Sequence, residues 1–134
     1  MQAQERATDP LQVLLVDDQE MFRGLVKETL ATDNTFHVIG EAATGAEAIA
    51  LTGELSPDLV IMDVQMDDMT GIEATRHILS VMPRQSVVLT SMSPERGYSL
   101  LAAEIGARGF IPKKHLSTAS LCIALGIEEL SAAA

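Results

Sequence analysis

The sequence predicts an α/β domain: a doubly wound, five-stranded parallel sheet with helices on both faces. Three observations predict it. Short apolar runs alternate with longer stretches whose apolar residues recur at helical spacing. Runs such as Leu59–Met62 show no polar alternation, as expected of strands covered on both faces. The apolar runs of strands 1, 3, 4 and 5 exit into acidic, hydroxylic or basic residues, and open α/β sheets bind ligands beyond the carboxyl ends of their strands.

The elements follow in order. Residues 1–10, MQAQERATDP, are polar, lack periodicity and read as a tail. Leu11–Val16 is the first strand. From Gln19 to Leu30, Met21, Phe22, Leu25, Val26 and Leu30 share helical spacing. Phe36–Glu41 alternates as a strand does. Thr44 and Glu47 make the Thr-x-x-Glu capping pattern, in which side chains satisfy the free amides that open a helix, and an Ala-rich helix runs to about Leu51. Ser56-Pro57 turns the chain into a third strand, Leu59–Met62. Thr70 and Glu73 repeat the capping pattern before Ile72, Thr75, Ile78, Leu79 and Met82, with Pro83 as a stop.

Val87–Leu89 is the fourth strand. Ser93-Pro94 offers an N-cap followed by proline in the first turn, and that helix should end near Gly106. Gly109–Pro112 is the fifth strand; Pro112 cannot donate to a ladder, so the strand belongs at a sheet edge. A last helix is predicted from about Ser117 to Leu130, weakened at Gly126 by roughly 1 kcal/mol relative to Ala. Ala132–Ala134 closes as a second tail, which leaves a folded domain over 11–131. Right-handed crossovers through these units give the flavodoxin-like strand order 2-1-3-4-5. That order makes strands 1 and 3 neighbours and leaves the Pro112 strand outermost.

Of the 134 residues 47% are hydrophobic and only 3% aromatic, so aliphatic side chains and Met must fill the core. Lys and Arg number 9 against 19 Asp and Glu, a net charge of -10. So acidic a surface repels phosphate backbones, and direct nucleic-acid binding by this domain is not expected. The single cysteine, Cys122, can close no internal disulfide and reads as a small core residue. With no apolar leader at its start, the chain is expected in the cytoplasm. No apolar stretch approaches the roughly 20 residues that span a bilayer, so no membrane association is expected.

The strand ends carry the chemistry. Strand 1 exits into Asp17-Asp18, strand 3 into Asp63, strand 4 into Thr90-Ser91 and strand 5 into Lys113-Lys114. Three carboxylates brought together repel one another, so either one stays protonated or a cation binds. Mg2+ suits the second case, being a hard ion that takes carboxylates and keeps several waters. A carboxylate beside it can attack phosphorus and form an acyl phosphate. Mg2+, Lys113 and the Thr90 hydroxyl could then stabilise the phosphoryl oxygens.

The segments VLLVDDQE, LVIMDVQM, VVLTS and GARGFIPK resemble, in order and spacing, the signature segments of CheY-like receiver domains of bacterial two-component response regulators. VIGEAATG is similar to receivers of LuxR/NarL-type regulators. The resemblance implies that Asp63 is the phosphoryl acceptor, that Asp17 and Asp18 organise Mg2+ with Asp63, and that the backbone carbonyl of Gln65 adds a ligand. It implies that Thr90 and Lys113 contact the phosphoryl group and that Phe110 is an aromatic switch following Thr90. The partners implied are a histidine kinase or phosphotransfer protein, with a homodimer through helices 1 and 5 or helices 4 and 5. The domain would be a signalling switch that assists its own phosphotransfer and autodephosphorylation, not an enzyme acting on other substrates.

Some positions depart from that pattern. Asp67 replaces a usual proline, so the loop after Asp63 is expected to be less rigid, and Asp67-Asp68 adds charge near the site. Lys114 follows Lys113 where relatives have a cis proline; a trans bond is expected, since a non-proline cis bond costs about 2.5–4 kcal/mol. Ser91 replaces a smaller residue. Plainer readings stand beside these roles: Phe110 as a core aromatic, Tyr98 as a partly exposed helix residue, Lys114 as a solvated charge, and Met66 and Met69 as exposed contacts. His37, His77 and His115 are scattered and form no metal cluster. Two other functions compete. A haloacid-dehalogenase-type phosphatase would need Asp-x-Asp, but the segment reads Asp63-Val64-Gln65. A receiver-like interaction module working without phosphorylation would usually lose an acidic residue or the lysine, whereas all five groups are present here.

Overall fold

The computed structural model describes residues 9–93 and 97–129. The tails predicted at 1–10 and 132–134 fall largely or wholly outside these residues, as does Pro94. One parallel sheet holds β1 (Leu11–Val16), β2 (Phe36–Ala42), β3 (Leu59–Asp63), β4 (Ser86–Ser91) and β5 (Gly109–Pro112), in the order β2-β1-β3-β4-β5. The helices between and after them are α1 (Glu20–Leu30), α2 (Gly45–Leu55), α3 (Gly71–Val81), α4 (Tyr98–Ile105) and α5 (Thr118–Leu125). A 3-10 turn, Lys113–His115, follows β5. The predicted order and the edge position of the Pro112 strand are both observed.

The apolar runs divide between two cores. Successive strand side chains point to opposite faces. Val13, Leu15, Leu59 and Ile61 therefore pack with Val26 and Leu30 of α1 and Leu121 and Leu125 of α5. Leu14, Val16, Val60 and Met62 pack on the other face with Ala48 of α2, Ala74 and Ile78 of α3 and Ala102 of α4. Burying each large aliphatic side chain contributes roughly 1.5–3 kcal/mol relative to leaving it exposed. Cys122 is buried in the first core.

The helix starts follow local chemistry. At α3, Thr70 Oγ1 accepts the Glu73 N–H at 3.1 Å and Glu73 Oε1 accepts the Thr70 N–H at 2.9 Å, a complete capping box. At α2, Thr44 Oγ1 accepts the Glu47 N–H, while Glu47 Oε1 reaches one residue further back, to the Ala43 N–H at 2.7 Å. This helix runs a turn past the predicted Leu51.

Two further helices differ from prediction. α4 begins at Tyr98 behind Gly97, whose φ of 71° lies in the left-handed region, so no continuous helix runs from Ser93. α5 ends at Leu125 instead of Leu130, because Gly126 leaves the helix with φ 70°. The Gly126 and Ile127 amides close back on the Ile123 and Cys122 carbonyls, and Arg108 Nη2 donates to the Leu125 carbonyl at 2.8 Å. Among the described residues no helix is long and apolar enough to cross a membrane.

Candidate functional site

Parallel register brings the strand exits to one level. Val16 lies opposite Met62, Asp63 opposite Thr90, and Ser91 opposite Pro112. The residues Asp17, Asp63, Thr90 and Lys113 therefore emerge together at the carboxyl end of the sheet. Asp17 is fully buried, Asp63 is 3% exposed and Asp18 faces solvent. One carboxylate oxygen from each of the three lies within 4.8 Å of the others. The 3-10 turn after Pro112 carries the buried Lys113 among them. Its Nζ stands 2.7 Å from Asp17 Oδ2 and 3.5 Å from Asp63 Oδ2, and 4.4 Å from the centroid of the Phe22 ring.

Backbone amides orient the two buried acids. The Gln19 N–H donates to Asp17 Oδ1 at 2.8 Å and the Gln65 N–H to Asp63 Oδ1 at 3.3 Å. Arg23 Nη1 donates to the Asp17 carbonyl at 2.6 Å, and its Nε donates to Glu41 Oε1 at 2.8 Å. Lys27 Nζ takes the other Glu41 oxygen at 2.6 Å. These two cations, Lys27 first, hold the Glu41 carboxyl below the usual range.

Asp63 shows the opposite effect. Burial foremost, then the Asp17 charge, pushes its carboxyl up to about 6; Asp18 adds a little, while Lys113 and the Gln65 N–H pull against them. One ammonium does not balance three carboxylates. Thr90 Oγ1 is buried with no hydrogen-bond partner among the described residues, a state that costs about 1–3 kcal/mol if nothing satisfies it. An oxygen-only donor set, an excess of negative charge and an open cleft of about 250 Å³ bounded by Asp18, Gln65, Asp67 and Met92 fit a hard divalent cation with its waters. The unpaired hydroxyl of Thr90, opposite Asp63 in the sheet register, suits an oxyanion.

The structure brings Asp17, Asp18, Asp63 and Lys113 together, sets Thr90 opposite Asp63 in the sheet and places Gln65 on the cleft wall. Phe110 sits elsewhere: half-buried on β5, its ring packs on Tyr98 with centroids 5.2 Å apart. Asp67 borders the cleft, whereas Asp68 is not on its wall. It turns to the start of α2, where Oδ1 accepts the Gly45 N–H at 2.9 Å and Oδ2 the Ala46 N–H at 3.0 Å. Those amides hold its carboxyl below the usual range. Ser91 is buried and its hydroxyl accepts the Ser93 N–H. Lys114 is exposed and the peptide bond before it is trans. Sequence reasoning did not single out Arg23, Glu41 or the Lys113–Phe22 contact. The available signal was position: Arg23 lies in the first turn after Asp17-Asp18, and Glu41 lies near the end of the strand beside β1.

A doubly wound domain with acids after β1 and β3, a hydroxyl ending β4 and a lysine after β5 defines a class, the phosphoryl-handling signalling domains of two-component systems. The chain belongs to the response regulator receiver domain family, which matches residues 13–125. It is 41% identical over 103 residues to the response regulator protein VraR of Staphylococcus aureus, covering 77% of this chain and 49% of that protein. It is 40% identical over 105 residues to protein-glutamate methylesterase/protein-glutamine glutaminase 2 of Photobacterium profundum, covering 78% of this chain and 27% of that protein. The chain thus spans half or less of the length of these curated relatives. The crystal structure of a LuxR-family two-component response regulator from Aurantimonas sp. SI85-9A1 superimposes with a TM-score of 0.79 at 30% identity, over 92% of this chain and 91% of that one.

Proposed function

We propose that Asp63 accepts a phosphoryl group from the phosphohistidine of a histidine kinase or phosphotransfer protein, and that the receiver domain, residues 11–131, works in the cytoplasm as a switch rather than turning over a substrate. The reading is carried by one observation: three carboxylates within 4.8 Å of one another share a pocket with Lys113 Nζ, 2.7 Å from Asp17 and 3.5 Å from Asp63. Asp17, Asp18, Asp63 and the Gln65 carbonyl would hold Mg2+, which supplies positive charge to the carboxylates and to an incoming phosphoryl group.

An Asp63 carboxylate oxygen attacks phosphorus as the phosphorus–nitrogen bond of the donor breaks. The electron pair leaves on the donor imidazole, and an acyl phosphate forms. Lys113 gives up part of its pairing with the acids to meet the phosphoryl oxygens. The unpartnered Thr90 hydroxyl donates to another of them and satisfies its own buried oxygen. Movement of Thr90 toward the phosphoryl group biases the α4–β5–α5 surface, with Phe110 following it, and so changes partner or homodimer contacts. Water attack on the acyl phosphate resets the switch.

Incubation with Mg2+ and acetyl phosphate tests this. The chain should gain one alkali-labile phosphoryl group in intact-mass spectra, strongly reduced by Asp17→Ala and by chelation of the metal. Uptake that persists without a divalent cation, or that Asp17→Ala leaves untouched, contradicts the reading.

A further inference from the structure

The segment between β3 and α3 follows the acceptor directly and forms one wall of the cleft. It is pinned at both ends: the Val64 N–H donates to the Thr90 carbonyl at 2.8 Å and the Gly71 N–H to the Val64 carbonyl at 2.7 Å. Gly71 lies so close that a Cβ there would stand 2.0 Å from the Asp63 carbonyl oxygen. Among the described residues, the hydrogen bonds that reach from 65–69 past the adjoining Asp63 to another element are the two that Asp68 accepts from Gly45 and Ala46. A second contact seats beside them. A Cβ on Gly45 would stand 2.3 Å from Met69 Cγ, so Gly45 leaves the room that Met69 fills. The loop is thereby fastened to α2 at its middle, one residue beyond Asp67 and three beyond Gln65.

We propose that Asp68 is a positioning residue for the site: by clamping the 64–70 loop to the first turn of α2, it holds Gln65, Met66 and Asp67 against the cleft and so sets cation affinity and the lifetime of phosphate on Asp63. This rests on the phosphoryl-acceptor reading above. The physical ground is restraint. Asp67 leaves the chain without the fixed φ of a proline, and Gln65 and Asp67 are exposed on either side of the partly buried Met66. A carboxylate accepting two amides at a helix start is a charge-assisted contact with defined geometry. When it is lost, the loop samples positions away from the cleft, the ligand at Gln65 becomes less well placed and water gains access to Asp63. Because Asp68 itself is exposed, its substitution leaves both cores intact.

Three variants test this: Asp68→Ala, Asp68→Asn and, as control, Glu47→Ala, which removes a different side-chain contact at the same helix start, to the Ala43 N–H, without touching the loop. Calorimetric Mg2+ titration and the decay of the acyl phosphate are the readouts, with exchange of the Gly45 and Ala46 amides reporting loss of the clamp. Asp68→Ala is expected to weaken Mg2+ binding at least about threefold, below the roughly 10–100-fold seen when a partner touches a ligand directly, and to shorten the phosphate lifetime. Asp68→Asn should fall between, since one amide oxygen cannot reproduce both contacts, and Glu47→Ala should change neither quantity. Asp68→Ala with faster Gly45 and Ala46 exchange but unchanged affinity and lifetime overturns the proposal, as does a Glu47→Ala variant that matches it. If the unaltered chain neither binds Mg2+ nor takes up phosphate, the underlying site reading falls with it; if it does both, only the clamp is at issue.

Discussion

Leu59 to Met62 and Asp63 belong to one strand and are almost equally buried, yet opposite physics governs the two ends. The apolar stretch is buried because water rejects it, and each side chain finds aliphatic neighbours on its own face of the sheet. Asp63 is buried against its own solvation. Its neighbours Asp17 and Asp18 repel it, Lys113 offsets only part of that, and Thr90 adds an unpaired hydroxyl. The comparison teaches that the sheet interior supplies stability, while its carboxyl end spends some of it to hold groups ready for ligands from outside.

Substitutions at the two ends should therefore differ in sign as well as size. Ile61→Ala in the core should cost about 2–5 kcal/mol in urea denaturation, whether or not Mg2+ is present. Lys113→Met takes the Lys113 ammonium from between two buried acids. It should destabilise the metal-free protein by about 1–3 kcal/mol at pH 7, less than a fully trapped pair because Asp63 can take up a proton, with much of the loss recovered on adding Mg2+. Asp63→Asn should do the reverse of both and stabilise the metal-free protein at pH 7, on the order of 1–3 kcal/mol.

The pH dependence sharpens the contrast. Asp63 carries a carboxyl raised from 3.8 to about 6, so between those values the folded chain binds more protons than the unfolded one. Stability of the chelator-treated protein should rise as pH falls from 7 through 6 toward 4, and Asp63→Asn should flatten that rise in thermal melts. Below that window the trend should reverse, because the lowered carboxyls of Glu41 and Asp68 lose their partners on protonation. The smallest effect is expected at the half-exposed Lys27–Glu41 pair, where Lys27→Ala should change stability by less than about 1 kcal/mol.

How much was legible follows from how far apart the interacting residues stand in the chain. Thr70 and Glu73 are three apart, and both arms of their capping box form as the sequence predicts. The convergence of Asp17, Asp63, Thr90 and Lys113 was legible although they span nearly the whole chain, because each follows an apolar run and the strand order places those runs side by side. The partners of Asp68 were not legible, since nothing in a local window shows that its carboxylate meets amides 22 and 23 residues earlier. Gly126 was read as a weak point inside a helix running to Leu130. The helix ends there in a left-handed Gly126, and Arg108, 17 residues before Leu125, meets its carbonyl, a contact that periodicity does not see.

The account stands on four strand exits serving a single acceptor. Peptide mapping of the chain after reaction with acetyl phosphate and Mg2+, with reductive trapping of the acyl phosphate, tests that most directly. The label should fall on Asp63 alone and disappear in Asp63→Ala. A label on Asp17, Asp18 or a hydroxyl, or one that survives in Asp63→Ala, would contradict it.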